Sequence, residues 1–201
     1  MSTAPAGTLP ELALLERAIG YTRVALVAAL DVPGDAPTTC AGWTLEDLLT
    51  HMNASLLTLD QAAQVGGIAL FDPPGCSRGG LAVHEQVQLL SARACALLDS
   101  WTGREAPEMF RVGGSELQAG LLASAGALEI TLHGWDVGQA CGSNHPVPAA
   151  LAEDLLSYAP LLISDADRPH RFGPALPTGA DATADVELLA LVGRGERIPR
   201  A

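Results

Sequence analysis

Residues 115–142, SELQAGLLASAGALEITLHGWDVGQACG, read as one long helix of small and apolar residues that stops at Gly142 and carries Glu129, His133 and Asp136. Glu129 and His133 are an i, i+4 pair and Asp136 is one turn further on. At about 100° per residue all three project from one face. An ionised carboxylate buried without a counter-charge costs several kcal/mol, roughly, so Glu129 has to be neutral, paired or bound to a metal. A divalent cation would satisfy it and would also take the neutral imidazole of His133 as a ligand.

The rest of the 201-residue chain is long enough for one sizeable core. Hydrophobic residues make up 48% and charged residues 17%, which suits a globular protein and excludes general disorder. The net charge is −12 and every basic residue is an arginine, so the basic stripe of a nucleic-acid binder is missing and an anionic membrane surface would repel the chain. The amino-terminal 20 residues lack the basic and apolar regions of a signal peptide, and no apolar run reaches the roughly 18 to 20 residues of a membrane span. Cys40, Cys76, Cys95 and Cys141 are far apart and form no CxxC pair, against a disulfide framework or a zinc ribbon. A cytoplasmic protein is expected.

Before the long helix, residues 9–30 carry Leu12, Leu15, Ile19, Val24, Val27 and Leu30 at mostly helical spacing. DVPGDAP, residues 31–37, stops that helix. Thr44 and Asp47 then form a capping box ahead of a stripe of Leu45, Leu48, Leu49, Met52, Leu56 and Leu59, with His51 on its flank. Residues 66–80 read as a loop. A third helix spans 81–101, with Val83, Val87, Leu90, Ala94 and Leu97 on its apolar face. Residues 109–112 are a strand or an extended connection. After the long helix come a fifth, 148–164, and a short one, 186–192, within an otherwise extended tail.

Four long apolar-faced helices predict an all-α fold, an up-and-down four-helix bundle over residues 1–165 with a short extension, 166–201, packed on it. Bundles build metal sites between facing helices. If the second and fourth helices are neighbours, His51 completes a set with Glu129 and His133, and two histidines with one carboxylate leave positions open to water or substrate. Asp136 is read as an acceptor that orients a ligand or an arginine. Each residue has a plainer reading: His51 a partly exposed helix histidine, Glu129 a carboxylate at the bundle edge, His133 a hydrogen-bonded core histidine. Trp43 and Trp135 are packing residues near the site, His84 is solvated, His145 and His170 lie in loops with no role assigned, and the cysteines are inert thiols.

TTCAGWTLEDLLTHM (38–52), ALEITLHGWDVGQACG (127–142) and FGPALPTGADATADVELLALVGRGERIP (172–199) resemble the actinobacterial branch of the DinB-like superfamily, which includes mycothiol-dependent maleylpyruvate isomerase. The shared features follow one order: the C-x-G-W-T turn, the helix histidine, the E-x-x-x-H-G-W-D helix and the Gly-Arg finish at Gly193 and Arg194. The resemblance implies a four-helix bundle, a divalent metal, most often zinc, on His51, Glu129 and His133, and a low-molecular-weight thiol, mycothiol, used in S-transfer or isomerisation. Where the isomerase has a larger C-terminal α/β domain, only the short extension is expected here.

The expected function is therefore that of a metal-dependent thiol transferase or isomerase acting on a small electrophile, as monomer or homodimer, with Arg78 and Arg111 as loop arginines that grip carboxylates. Two rival readings stay open: thiol-independent metal-dependent hydrolysis or natural-product tailoring, and a non-catalytic metal-containing protein that binds a small molecule.

Overall fold

A computed structural model describes residues 10–65, 67–68, 80–102, 108–112, 115–168 and 171–195. The described residues are mostly helical: α1 (Pro10–Ala29), α2 (Leu45–Val65), α3 (Val83–Thr102), α4 (Ala119–Ala140), α5 (Ala149–Leu162) and α6 (Ala184–Leu191). Three short strands, β1 (Gly67–Ile68), β2 (Met109–Val112) and β3 (Ser115–Gln118), form one sheet in that order, with β1 parallel and β3 antiparallel to β2.

Residues 115–118 thus correct the sequence reading. SELQ contains three good helix formers, yet it pairs with β2 from Met109↔Gln118 to Val112↔Ser115, because tertiary pairing overrides intrinsic helical propensity. The pairing covers Phe110, which is fully buried and stacks on Trp101 at 5.3 Å between ring centroids. Gly67 and Ile68 likewise form a strand where a loop was expected, and most of the remaining 66–80 segment, Cys76 and Arg78 included, lies outside the described residues.

α1 lies along α4 and α2 along α3, with further contacts of α2 with α4 and of α1 with α3. A simple up-and-down order would make α1 and α2, and α3 and α4, close neighbours. Here α2 packs beside α4 and α1 beside α3 instead.

The tight α1–α4 contact also revises the buried face of α1. Leu12 and Leu15 are buried as expected, but Val24, Val27 and Leu30 are exposed, and the face turned to α4 continues through Ala18, Tyr21, Thr22, Ala25 and Ala29. Small residues win there because the two backbones approach closely. A Cβ at Gly134 would stand 2.3 Å from the Thr22 hydroxyl, which itself donates to the Ile130 carbonyl at 2.8 Å. On α2 every residue of the anticipated Leu/Met stripe is buried. Its capping box is present: the Asp47 amide donates to the Thr44 hydroxyl at 3.2 Å and the Thr44 amide to Asp47 Oδ2 at 3.0 Å.

α4 stops as its sequence requires. Gly142 takes φ of +64°, its amide donates to the Gln139 carbonyl, and the Ser143 amide reaches back to Gly138; this is the Schellman arrangement that a β-carbon would oppose. α6 ends identically at Gly193, φ +76°, with the Arg194 amide donating to Leu189. That turn aims Arg194 back at α4. No described helix is long and apolar enough to cross a membrane.

Candidate metal centre

The three side chains singled out in α2 and α4 come together. Nε2 of His51 lies 2.8 Å from Oε1 of Glu129, and Nε2 of His133 lies 3.3 Å from the same oxygen. The two imidazoles meet edge to face at 4.9 Å between centroids. Ser55, one turn after His51, donates its hydroxyl to Glu129 Oε1 at 3.2 Å. Sequence reading missed Ser55, although its i+4 spacing from His51 was the available signal.

The other nitrogen of His133 is held by Asp136, whose Oδ2 is 2.9 Å from Nδ1. Asp136 is fully buried and saturated: Arg194 donates through Nε to Oδ1 at 2.9 Å and through its terminal nitrogen to Oδ2 at 2.8 Å, and the Thr39 hydroxyl donates to Oδ1. The thiol of Cys40 adds a weak contact, 3.4 Å from Oδ2. Thr39 and Cys40 are delivered by the turn over residues 40–43, closed by the Trp43 amide on the Cys40 carbonyl with Gly42 at φ +79°. The same turn packs Trp43 against His51, 4.9 Å between centroids. Cys40 is therefore no remote inert thiol but part of the shell around His133.

The electrostatics separate two environments. Burial alone would raise the Asp136 carboxyl, but the hydrogen bonds of His133 and Arg194 and the guanidinium charge hold it far below the usual carboxylate range. Burial likewise opposes charge on Glu129 and His133. Their mutual attraction, with hydrogen bonds donated by both histidines to Glu129 and by His133 to Asp136, and a further contribution from Cys40, overcomes it, holding Glu129 well below and His133 well above their ordinary values.

Two sets of residues have the donor types of a metal site: His51, Glu129 and His133, and Cys40, His133 and Asp136. The second already has its cation, because Arg194 neutralises Asp136. Among the described residues, the first is paired with no arginine: Glu129 meets imidazoles and a hydroxyl. With Asp136 accepting from Nδ1, a neutral His133 presents a lone pair at Nε2 toward another acceptor, Glu129. A proton or a metal ion resolves that opposition, and nitrogen, nitrogen and oxygen are donors suited to a divalent transition ion.

The remaining expected residues fall elsewhere. Trp135 is buried beside a separate pocket of about 220 Å³ that also borders His145 and Asp185. His145 stacks on Tyr21 at 4.9 Å. His84 is exposed at the start of α3, and Arg111 is exposed on β2, in a strand and not a loop. Arg78 and His170 lie outside the described residues. Arg194 was legible only as part of a Gly-Arg signature, with no signal of its partner.

The fold and site define a mostly helical protein in which two facing helices bring imidazole and carboxylate donors together, with a third helix end backing them. The family model described as the mycothiol maleylpyruvate isomerase N-terminal domain matches residues 17–138, and the chain belongs to that family, which bears out the resemblance drawn from its motifs. No curated protein and no solved structure matches the chain.

Proposed function

We propose that the chain is a divalent-metal-dependent enzyme, with His51, Glu129 and His133 as ligands of a zinc-type ion, that uses a low-molecular-weight thiol such as mycothiol in S-transfer or isomerisation of a small electrophile. The observation that carries this reading is the convergence of three donors, from α2 and α4, two of which, Glu129 and His133, line a cavity of about 430 Å³ walled by α1, α2, α3 and α4. In this reading α1 to α4 form a DinB-like four-helix bundle over residues 1–165, and residues 166–201 are an extension that contributes Arg194.

A bound divalent cation would supply Lewis acidity, lowering the pKa of a coordinated thiol or water toward neutrality. The protein's own groups do the positioning. Asp136, fixed by Arg194, holds Nδ1 of His133 and so sets the tautomer whose Nε2 is free to ligate. Ser55 orients Glu129, and Trp43 covers His51 and limits water on that side. Three protein ligands leave positions for exogenous groups, the arrangement of catalytic and not structural sites.

Metal analysis of the purified chain tests the reading. One divalent ion per chain is expected, lost in His51→Ala and His133→Ala and kept in His84→Ala. Absence of stoichiometric metal, or unchanged content in the ligand variants, overturns it. Mycothiol should raise the melting temperature of the metal-loaded protein by mass action. Turnover without added thiol would move the assignment to metal-dependent hydrolysis, and tight binding without turnover to a metal-containing binding protein.

A further inference from the structure

We infer that the substrate taken by this site is a predominantly apolar molecule, with its polar reacting group toward Glu129 and His133 and its hydrocarbon body between α1 and α3; the inference rests on the metal-centre reading above. The cavity of about 430 Å³ has Glu129, His133 and Ser55 at one end, and its volume falls in the range of small-molecule sites. Away from that end the wall is aliphatic: Ile19 and Leu26 from α1, Met52 and Leu56 from α2, Leu90 and Leu98 from α3.

Apart from the weakly polar thiol of Cys95, the polar groups of the wall are hydroxyls committed elsewhere. Thr22 spends its hydroxyl on the Ile130 carbonyl at 2.8 Å, and Ser91 spends its own on the Val87 carbonyl at 2.9 Å. Both therefore turn carbon toward the cavity. Arg93, on the same helix as Leu90, is held by the Asn53 carbonyl at 2.6 Å. The charged residues bordering the cavity, besides Glu129, are Glu16 and Arg23, both exposed on α1 and of opposite sign. Away from the Glu129–His133 end, a small dicarboxylate would find among the described residues one arginine, with a glutamate nearby, and a wall that returns nothing for the hydration of its second carboxylate. A hydrocarbon body gains from the same wall.

The test is a homologous series of n-alkyl hydroxamates, from acetohydroxamate to octanohydroxamate, titrated into the zinc-loaded full chain by calorimetry, with maleate as the dicarboxylate comparison. Affinity should rise about fourfold per methylene until the cavity is filled, and octanohydroxamate should bind far more tightly than maleate. Ala94→Phe, which narrows the cavity from α3 without touching a proposed ligand, should flatten the dependence on chain length while leaving zinc content unchanged; Ser91→Leu at the mouth is the milder variant should Ala94→Phe fail to fold. The series from 1-butanol to 1-octanol, titrated into the metal-free chain, separates the two readings. Chain-length dependence there together with absent zinc binding overturns the metal centre alone. Affinity indifferent to chain length in both series, or a preference for maleate, overturns the apolar substrate.

Discussion

The guanidinium of Arg194 lies side-on against Asp136, with Nε 2.9 Å from Oδ1 and a terminal nitrogen 2.8 Å from Oδ2. The two are 58 residues apart in sequence, and Arg194 lies beyond the segment, 17–138, that matches the family model. Because the same carboxylate holds Nδ1 of His133, the C-terminal turn after α6 is mechanically continuous with a candidate ligand. Arg194 is thereby part of the support of Asp136 and His133.

Removing the arginine leaves Asp136 as a buried charge without its two-point partner. Arg194→Ala is expected to cost about 3–5 kcal/mol of stability, read by denaturant unfolding, and to weaken metal affinity about 10- to 100-fold, as removal of a ligand's hydrogen-bonding support does. Arg194→Lys should recover only part of either loss, since an ammonium cannot reproduce the two-point contact. A variant as stable and as metal-tight as the parent would show the pair to be incidental.

Proton counting gives a second check. His133 is held well above its ordinary pKa by Glu129 and Asp136 against the cost of burial, which favours the imidazolium in the metal-free chain. A metal ion requires the neutral ring. Zinc binding should therefore release about one proton from this residue, seen as a calorimetric enthalpy that changes with the ionisation enthalpy of the buffer. No buffer dependence at pH 7 would place the ion elsewhere.

How far the sequence reached can be judged from these same residues. Glu129, His133 and Asp136 share one helix, where spacing alone puts them on one face, and the Thr44–Asp47 box fixed the phase of α2 well enough to bring His51 into consideration. Arg194, Thr39 and Cys40 come from a distant turn and a loop, and no periodicity links them to α4. The face of α1 beyond Ile19 departs from its hydrophobic pattern for a related reason: large apolar residues suggest the buried stripe, whereas the approach of α4 favours alanine and threonine inside and leaves Val24 and Val27 exposed. Residues 115–118 were read as helix because their preference is local and their strand pairing is not.

The paired ionisations also predict how the metal-free chain responds to pH. Asp136 is shifted down, so its contribution is complete above about pH 4 and is lost as pH falls below that value; His133 is shifted up, so its contribution is complete below about pH 6.5 and is lost as pH rises through its folded pKa. Stability should therefore be greatest between these limits and decline on both sides. In Asp136→Asn the acid slope should flatten and His133 should lose one of the contacts that raise it. Zinc should reverse the alkaline decline, since it selects the neutral ring. Urea unfolding across pH 3–9, with and without zinc, tests each arm, and a metal-free profile that keeps rising above pH 7 contradicts the assignment of charge to His133.

Gly134 sits between His133 and Trp135 in the middle of α4, where exchanging glycine for alanine ordinarily stabilises a helix by about 0.8–1 kcal/mol. Here the sign should invert. A Cβ at this position would lie 2.3 Å from Thr22 Oγ1, 2.9 Å from its Cβ and 3.1 Å from its Cα, so rotating the hydroxyl away does not relieve the contact. α1 would have to move off α4, breaking the Thr22 hydrogen bond to Ile130 and disturbing the helix that carries Glu129 and His133. Gly134→Ala is expected to destabilise by about 1–3 kcal/mol, the usual range for overpacking, and Thr22→Ala should rescue little of it because the backbone and Cβ of residue 22 remain. The control is Gly20→Ala on α1, where nothing lies within 4 Å of the added carbon. That variant should be neutral or stabilising in the same denaturant series, and equal behaviour of the two would show that α1 and α4 are not in close contact at Gly134.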